Sequence, residues 1–348
     1  MIDFSSQPGD DDDDEELYTL PDHDPLGILS STRTVVQQSE HVWVNPEYVE
    51  QLSKQWLQED AGNVSTYPPL WDDPYHFHDE TERTVNWLLV LDALNFCFWP
   101  EKGQSRWSIE YRGEALNGYW AEAAALKRAV EEGIPLWDAK TLSTIGSETV
   151  AYIFRGSGII PLFEQRVAHA REVGHVLLER YDGQFVHAIE QAESSAIKLV
   201  DLLVRDFPSF RDIATYHAHP VKFFKRAQIC VADLHNAFGG QQWGTFADLE
   251  QLTIFADYKL PQVLRHYHVL EYDSTLAQRI DNQEMLPAES EEEVEIRAAT
   301  IWACELLGRT MQQHGYTMTA AKIDQRLWWM GQQLAEMQPY HRTRTIYY

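Results

Sequence analysis

The stretch Thr253–Tyr267, TIFADYKLPQVLRHY, places one carboxylate, Asp257, inside an apolar run. Removing an acid from water costs free energy unless another group uses or satisfies it. Pro261 disfavours the α conformation at Leu260 and favours a new helix there, so we predict that Asp257 lies between two helices. A half-buried acid near cations is typical of catalytic groups. The alternative is that Asp257 only caps the second helix.

A group of cations lies upstream of this acid. Residues 219–240, HPVKFFKRAQICVADLHNAFGG, have the pattern of one helix ending at a double glycine. Its first turns carry Lys222, Lys225 and Arg226, and a helix N-terminus with nearby cations is a natural phosphate site. The alternative is a solvated basic face. If this helix packs near Asp257, the sequence predicts an acid beside an anion site.

The net charge of the chain limits which kinds of ligand it is expected to bind. The chain has 348 residues and a net charge of −26. Without the seven acids of Asp10–Glu16, the charge is still −19. A surface of this sign repels a polyanion, so we expect no direct nucleic-acid partner and only a small anionic ligand. No apolar run reaches the ~20 residues of a membrane span, so we expect no membrane partner.

Cysteine and histidine usage argues against a metal centre. Cys97, Cys230 and Cys304 are far apart among apolar neighbours, which is typical of reduced, buried thiols in the cytoplasm. Two H-x-H pairs, in YHFHDE and YHAHP, could ligate zinc, but both lie in loop-like stretches without cysteine partners. We therefore expect ordinary loop histidines and no metal.

The elements that must position these residues are mainly helical. We predict a disordered acidic tail over residues 1–25 and one α-rich domain over residues 26–348. Its N-terminal part, 26–138, contains a small β-element, the hairpin SRWSIEYRGEALNGYW, and its catalytic part, 139–348, is almost wholly helical. Helices are also predicted for NPEYVEQLSKQWLQ, for TERTVNWLLVLDALNFCFWP as far as Pro100, and for AEAAALKRAVEEGIPLWD.

Several blocks, in order, resemble one known family. LDALNFCFWP, RGEALNGYW, FFKRAQICVADL, TIFADYKLPQVL, EVEIRAATIWACELL and the terminal TRTIYY are similar to queuosine salvage proteins, over nearly the whole chain after about residue 30. The resemblance implies a fold similar to helix-hairpin-helix DNA glycosylases with N-terminal additions. It implies hydrolysis of queuosine 5′-phosphate to queuine and ribose 5-phosphate, without a metal or cofactor.

The resemblance also implies roles for single residues. By the match in TIFADYKLPQ, Asp257 supports cleavage of the N-glycosidic bond as nucleophile, general base or electrostatic stabiliser, and these three roles stay open. By the match in KRAQ, Lys225 binds the 5′-phosphate or orients Asp257. Arg226 and Lys222 are further phosphate candidates.

The base requires a flat apolar slot with polar edges. Asn95, Phe98 and Trp99 share one face if NFCFW is helical, and Phe255 offers a second face. Phe96 points elsewhere at this spacing and is predicted to pack in the core.

Two other functions fit the same residues. A DNA or RNA base glycosylase follows from fold analogy alone, and the charge argues against it. A non-catalytic protein that binds queuine or a nucleotide would leave the buried acid unexplained. The family match also marks Arg297 or Glu295, in EVEIR, as a structural or substrate-side ion pair, and the aromatic C-terminus is expected to dock.

Overall fold

A computed structural model describes residues 17–60, 71, 73–334 and 336–348, and the predicted tail up to residue 16 lies outside them. The fold is mainly helical, as predicted. The helices are α1 Ile28–Gln38, α2 Pro46–Asp60, α3 Glu82–Leu94, α4 Gly118–Glu131, α5 Ala139–Ser143, α6 Ser147–Ile153, α7 Phe163–Arg180, α8 Val186–Gln191, α9 Ala196–Asp206, α10 Lys225–Ala237, α11 Lys259–His266, α12 Ser274–Asp281, α13 Glu291–Gln313 and α14 Ala320–Gln333. None of these described helices is long and apolar enough to cross a bilayer.

Short strands pair two by two in the described part of the chain. Antiparallel pairs join β1 Val42–Val44 to β6 Leu270–Tyr272, β2 Ser108–Tyr111 to β3 Glu114–Asn117, and β4 Ile213–Tyr216 to β5 His219–Lys222. A parallel pair joins β7 Met285–Leu286 to β8 Arg342–Thr343. The predicted hairpin is β2–β3, and its turn residues Arg112 and Gly113 have φ values of 51° and 86°, as a tight two-residue turn requires. The other three pairs were not predicted.

Helix α13 forms the centre of the fold. It begins after the cap Ser290, whose hydroxyl accepts a hydrogen bond from the Glu293 amide at 3.4 Å, and it packs against α1, α2, α11 and α14. Its Trp302 is buried edge-on against Tyr18, with ring centroids 5.3 Å apart. Tyr18 is therefore packed against the core, although it falls in the segment assigned to the tail.

The predicted helix over residues 219–240 is wrong in its first turns. Residues His219–Lys222 form strand β5, and α10 begins only at Lys225. The hairpin turn uses His217 and Ala218 at φ values of 45° and 66°. Neither residue is a glycine, so the usual sequence signal for such a turn is missing.

The NFCFW segment is also not helical. Helix α3 ends at Leu94, and the next residues have no regular secondary structure, with Cys97 in the left-handed region at φ 42°. The buried Arg166 guanidinium donates to the carbonyl oxygens of Leu94, Phe96 and Cys97. This side chain from α7 therefore satisfies the carbonyls at the helix end, which a continued helix would have used internally.

Residues 252–257, before α11, have no regular secondary structure and follow a short 3₁₀ turn at Leu249–Gln251, so the predicted first helix is absent here. Gln228 replaces the missing helical hydrogen bonds, because its side chain accepts from the Thr253 amide at 2.8 Å. The second helix, α11, is confirmed, although it begins at Lys259 and includes Leu260.

Candidate active site

Separate parts of the chain line one cavity of about 490 Å³. The contributing parts are the segment that follows α3, which includes Asn95 and Trp99, the start of α4, one face of α10, the segment that precedes α11, which includes Phe255 and Asp257, one face of α14, and the C-terminus. The lining residues used below are Asn95, Phe96, Phe98, Trp99, Arg106, Tyr119, Lys225, Asp233, Phe255, Asp257, Tyr258, Lys259, Asp324, Trp328, Tyr340 and Tyr348. A cavity of this volume suits a ligand of nucleotide size.

The Asp257 side chain caps a helix and lines the cavity. Its Oδ1 accepts hydrogen bonds from the backbone amides of Lys259 and Leu260 at 2.7 and 2.9 Å, so it caps α11. None of the described residues donates a hydrogen bond to Oδ2, and the side chain lines the cavity. Burial raises the pKa of Asp257, while Lys225 and the two amides oppose this rise. The cap and the catalytic hypothesis are therefore compatible.

Lys225 is the first residue of α10 and only 5% exposed. Burial lowers its pKa, and the charge of Asp257 opposes this decrease. Its ammonium group has no ion-pair partner among the residues that the structure describes. Lys225, Ile229, Asp233 and Asn236 follow helical spacing, so one face of α10 forms a wall of the cavity.

Two further acids face the cavity, and sequence reasoning missed both. Asp324 on α14 accepts a hydrogen bond from the Phe255 amide at 2.8 Å, and burial together with Asp257 raises its pKa well above the usual range. Burial raises the pKa of Asp233 to about 6. Both acids lie in apolar helical patterns, VADL and KIDQRL, so the criterion applied to Asp257 could have found them.

Two cations near Asp257 were also missed. The Arg106 guanidinium donates to Asn117 Oδ1 at 3.1 Å and to the Tyr340 hydroxyl at 3.5 Å. The Lys259 ammonium lies 5.9 Å from the centre of the Tyr340 ring, and burial lowers its pKa while Asp257 raises it. Arg106 comes from the loop before β2, where sequence patterns carry little information about position.

The predicted aromatic residues lie at the cavity, although not through helical spacing. Asn95, Phe98, Trp99 and Phe255 all line it. Phe96 lines it too, but it is almost fully buried in a small core cluster with Cys97 and Trp99.

The structure places Lys222 and Arg226 outside the cavity lining. Lys222 lies on β5, and its ammonium donates to the Leu26 carbonyl at 3.1 Å. Arg226 is buried between the Phe96 and Phe210 rings and donates to backbone carbonyls, including Ser209. Both side chains hold neighbouring segments together, so their predicted phosphate contacts find no support in this geometry.

One histidine of each H-x-H pair has ordinary polar partners. His76 pairs through Nδ1 with Asp73 at 2.6 Å and through Nε2 with the Tyr119 hydroxyl at 2.7 Å. His217 lies 3.3 Å from Glu291. Among the described residues, no three His, Cys, Asp or Glu side chains are grouped so that they could hold a metal.

The chain is similar to proteins of one known family. The sequence model of the family described as queuosine salvage protein matches residues 75–348. A relative from Sphaerobacter thermophilus, named queuosine 5′-phosphate N-glycosylase/hydrolase, is 50% identical and covers 93% of this chain and 98% of its own. Relatives with the same name from Mus musculus and Dictyostelium discoideum are 35% and 36% identical, each over 93% of this chain and 99% of its own. The chain therefore belongs to the queuosine salvage protein family.

Proposed function

We propose that this protein hydrolyses the N-glycosidic bond of queuosine 5′-phosphate and releases queuine and ribose 5-phosphate. The family and the shared name of its relatives support this activity. The observation that carries the proposal is the position of Asp257, a carboxylate that lines the cavity with one oxygen held by two backbone amides.

The chemistry follows from the charge that develops during cleavage. As the bond breaks, its electron pair leaves with the base and the sugar becomes oxocarbenium-like. The Asp257 carboxylate stabilises this positive charge. Water then adds its oxygen to the sugar and loses one proton, and the departing base takes up one proton at its nitrogen. The capped Oδ1 fixes the group, which leaves Oδ2 to face the ribose.

Arg106 and Lys259 bind the 5′-phosphate in this proposal. Both cations line the cavity on the side of Tyr340, and charge-assisted hydrogen bonds from such groups are strong. Lys225 then serves mainly to hold Asp257 ionised, because its charge opposes the rise in the pKa of that acid.

The base lies against aromatic faces and polar edges. Phe98 and Phe255 supply apolar surface, and Asn95 supplies an amide at the edge. Burial raises the pKa values of Asp233 and Asp324, which favours the protonated form that can donate hydrogen bonds to the base or to its departing nitrogen.

Three broader expectations belong to the same proposal. Residues 26–138 and 139–348 act as one domain, since both line the cavity, and the core is related to helix-hairpin-helix glycosylases. The substrate is the free nucleotide and not a nucleic acid, because the net charge is −26. The three cysteines are free and buried, which supports a cytoplasmic location.

Incubation of the purified protein with queuosine 5′-phosphate tests this function, with queuine and ribose 5-phosphate measured chromatographically. We expect stoichiometric release of both products and no turnover by Asp257→Asn. Binding without release would favour a non-catalytic protein, and a wild-type rate for Asp257→Asn would refute the assigned mechanism.

A further inference from the structure

A buried ion pair joins the backbone segments that carry the two central residues of the site. Arg297 on α13 donates through Nη1 and Nη2 to the two carboxylate oxygens of Asp212, at 2.9 and 2.6 Å. Both side chains are only 2% exposed. Asp212 raises the pKa of Arg297 against the effect of burial, so the guanidinium stays charged.

Arg297 also binds the backbone next to Asp257. Arg297 Nε donates to the carbonyl oxygen of Ala256 at 3.2 Å. Ala256 directly precedes Asp257, whose Oδ1 is bound on the other side by the first amides of α11. The peptide before Asp257 is therefore tied to α13, and its side chain to α11.

Asp212 binds the backbone at Lys225. Asp212 Oδ2 accepts a hydrogen bond from the Lys225 amide at 3.2 Å, and the Asp212 carbonyl accepts from the amides of Phe223 and Phe224 at 3.0 and 3.3 Å. Phe224 is in the left-handed region at φ 49°, an unusual conformation for a bulky residue. One aspartate therefore holds the turn from which Lys225 enters the cavity.

Packing fixes the orientation of the guanidinium. It lies between the Phe223 ring at 3.9 Å and the Tyr348 ring at 4.5 Å. Tyr348 also lines the cavity, and its hydroxyl donates to Glu293 at 2.7 Å. The two rings and the hydrogen bonds from all three nitrogens together restrict the orientation of Arg297.

We propose that Arg297 and Asp212 are positioning residues of the reaction, which set the distance and direction between Asp257 and Lys225. This inference rests on the proposed function of the two cavity residues. Stability alone does not require such a pair, because well-packed apolar side chains often replace buried ion pairs without loss. An apolar pair could not bind the Ala256 carbonyl and the Lys225 amide together. A misplacement of about 1 Å can reduce turnover roughly 100-fold.

The test compares Arg297→Lys with a matched control on the same helix, Glu295→Gln. Glu295 is also buried, but it binds the Ser39 hydroxyl, the His41 amide and the Tyr216 hydroxyl, outside the cavity lining. Both variants are assayed with queuosine 5′-phosphate at a temperature at which near-ultraviolet circular dichroism shows a native fold. For Arg297→Lys we expect kcat to fall roughly 10- to 100-fold with KM within about threefold. For Glu295→Gln we expect a lower Tm and a kcat within about twofold of wild type.

A double variant, Arg297→Met with Asp212→Leu, separates positioning from stability. It removes both charges, so it recovers stability relative to either single change, yet we expect kcat to stay roughly 10- to 100-fold low. The isosteric Asp212→Asn provides a third folded variant. A wild-type kcat in any of these three variants overturns the inference, and so does a change confined to KM. An inactive wild-type enzyme would instead refute the proposed function.

Discussion

Asp257 and Lys225 face one cavity from different elements, the turn before α11 and the first residue of α10, and neither has an ion-pair partner among the described residues. Burial raises the pKa of the acid and lowers that of the base, and the attraction between their charges opposes both shifts. A nearby lysine charge favours the ionised form of a carboxylate. In the proposed mechanism, Lys225 therefore keeps Asp257 ionised while Oδ2 stays available to the substrate.

Lys225→Met should therefore shift the pH dependence of kcat/KM. Asp257 must be ionised, so activity disappears as the pH falls through its pKa. Loss of the lysine charge removes a cause that lowers this pKa, and the acid limb should move to higher pH. Rates measured from pH 4 to 9 report the shift. An unmoved or lowered acid limb would show that Lys225 does not act on Asp257.

The cap and the catalytic role of Asp257 can be separated by two substitutions. Asn retains an oxygen acceptor for the Lys259 and Leu260 amides, whereas Ala does not. We expect both variants to lack turnover, and Asp257→Ala to be less stable than Asp257→Asn by about 0.5–2 kcal/mol in urea unfolding. Equal stability of the two variants would mean that the cap contributes nothing.

A comparison of Asp257→Asn with the wild type tests how protonation of Asp257 is coupled to the stability of the fold. The pKa of Asp257 is raised in the folded state, so the native protein binds the proton more tightly than the unfolded chain does. Asp257 therefore reduces stability as the pH rises from its unfolded pKa through its folded pKa. At neutral pH, Asp257→Asn should be more stable than wild type, and the difference should disappear near pH 3. A difference that is independent of pH would contradict the raised pKa.

The phosphate site can be tested by comparing a nucleotide with its nucleoside. Arg106→Gln and Lys259→Met should each raise KM for queuosine 5′-phosphate roughly tenfold, which corresponds to about 1.4 kcal/mol. Arg106→Gln should leave the kinetics with queuosine, which lacks the phosphate, unchanged. Lys259→Met should leave KM for queuosine unchanged and move only the acid limb to higher pH, because the Lys259 charge also lowers the pKa of Asp257. Lys222→Gln is the control, because its ammonium binds the Leu26 carbonyl. An equal loss on both substrates would assign the two cations to another role.

The features that could be predicted from the sequence are those that depend on residues close together in the chain. The Asn–Pro start of α2 and the Arg112–Gly113 turn of the hairpin are specified by neighbouring residues, and both are present. Asp257 and Lys225 stand out as charges within apolar patterns, and the structure brings both to the cavity. Their catalytic roles stay predictions.

Other features depend on residues distant in the chain. The end of α3 is set by Arg166, 72 residues away from Leu94. The β4–β5 turn uses residues that do not usually adopt positive φ. Arg106 enters from a loop, so its place beside Lys259 requires the tertiary fold. Propensity and periodicity contain none of this information.

Nucleic acids should bind weakly if the substrate is a free nucleotide. The net charge is −26, and tight binding needs many cations at the phosphates. We expect no saturation with duplex DNA or tRNA below roughly 10⁻⁴ M at physiological salt, as measured by fluorescence anisotropy. Submicromolar binding that weakens steeply with added salt would favour the nucleic-acid glycosylase alternative.

The C-terminal residue should contribute measurably to stability. Tyr348 is buried, its hydroxyl donates to Glu293, and its carbonyl accepts a hydrogen bond from the Cys97 amide at 2.9 Å. Tyr348→Phe leaves the Glu293 carboxylate without this donor, which should cost about 1–3 kcal/mol in urea unfolding. Tyr347→Phe is the matched control: Tyr347 is only half-buried, so its loss should stay within about 0.5 kcal/mol. If both variants unfold at the same urea concentration, the buried hydroxyl is not a stabilising contact.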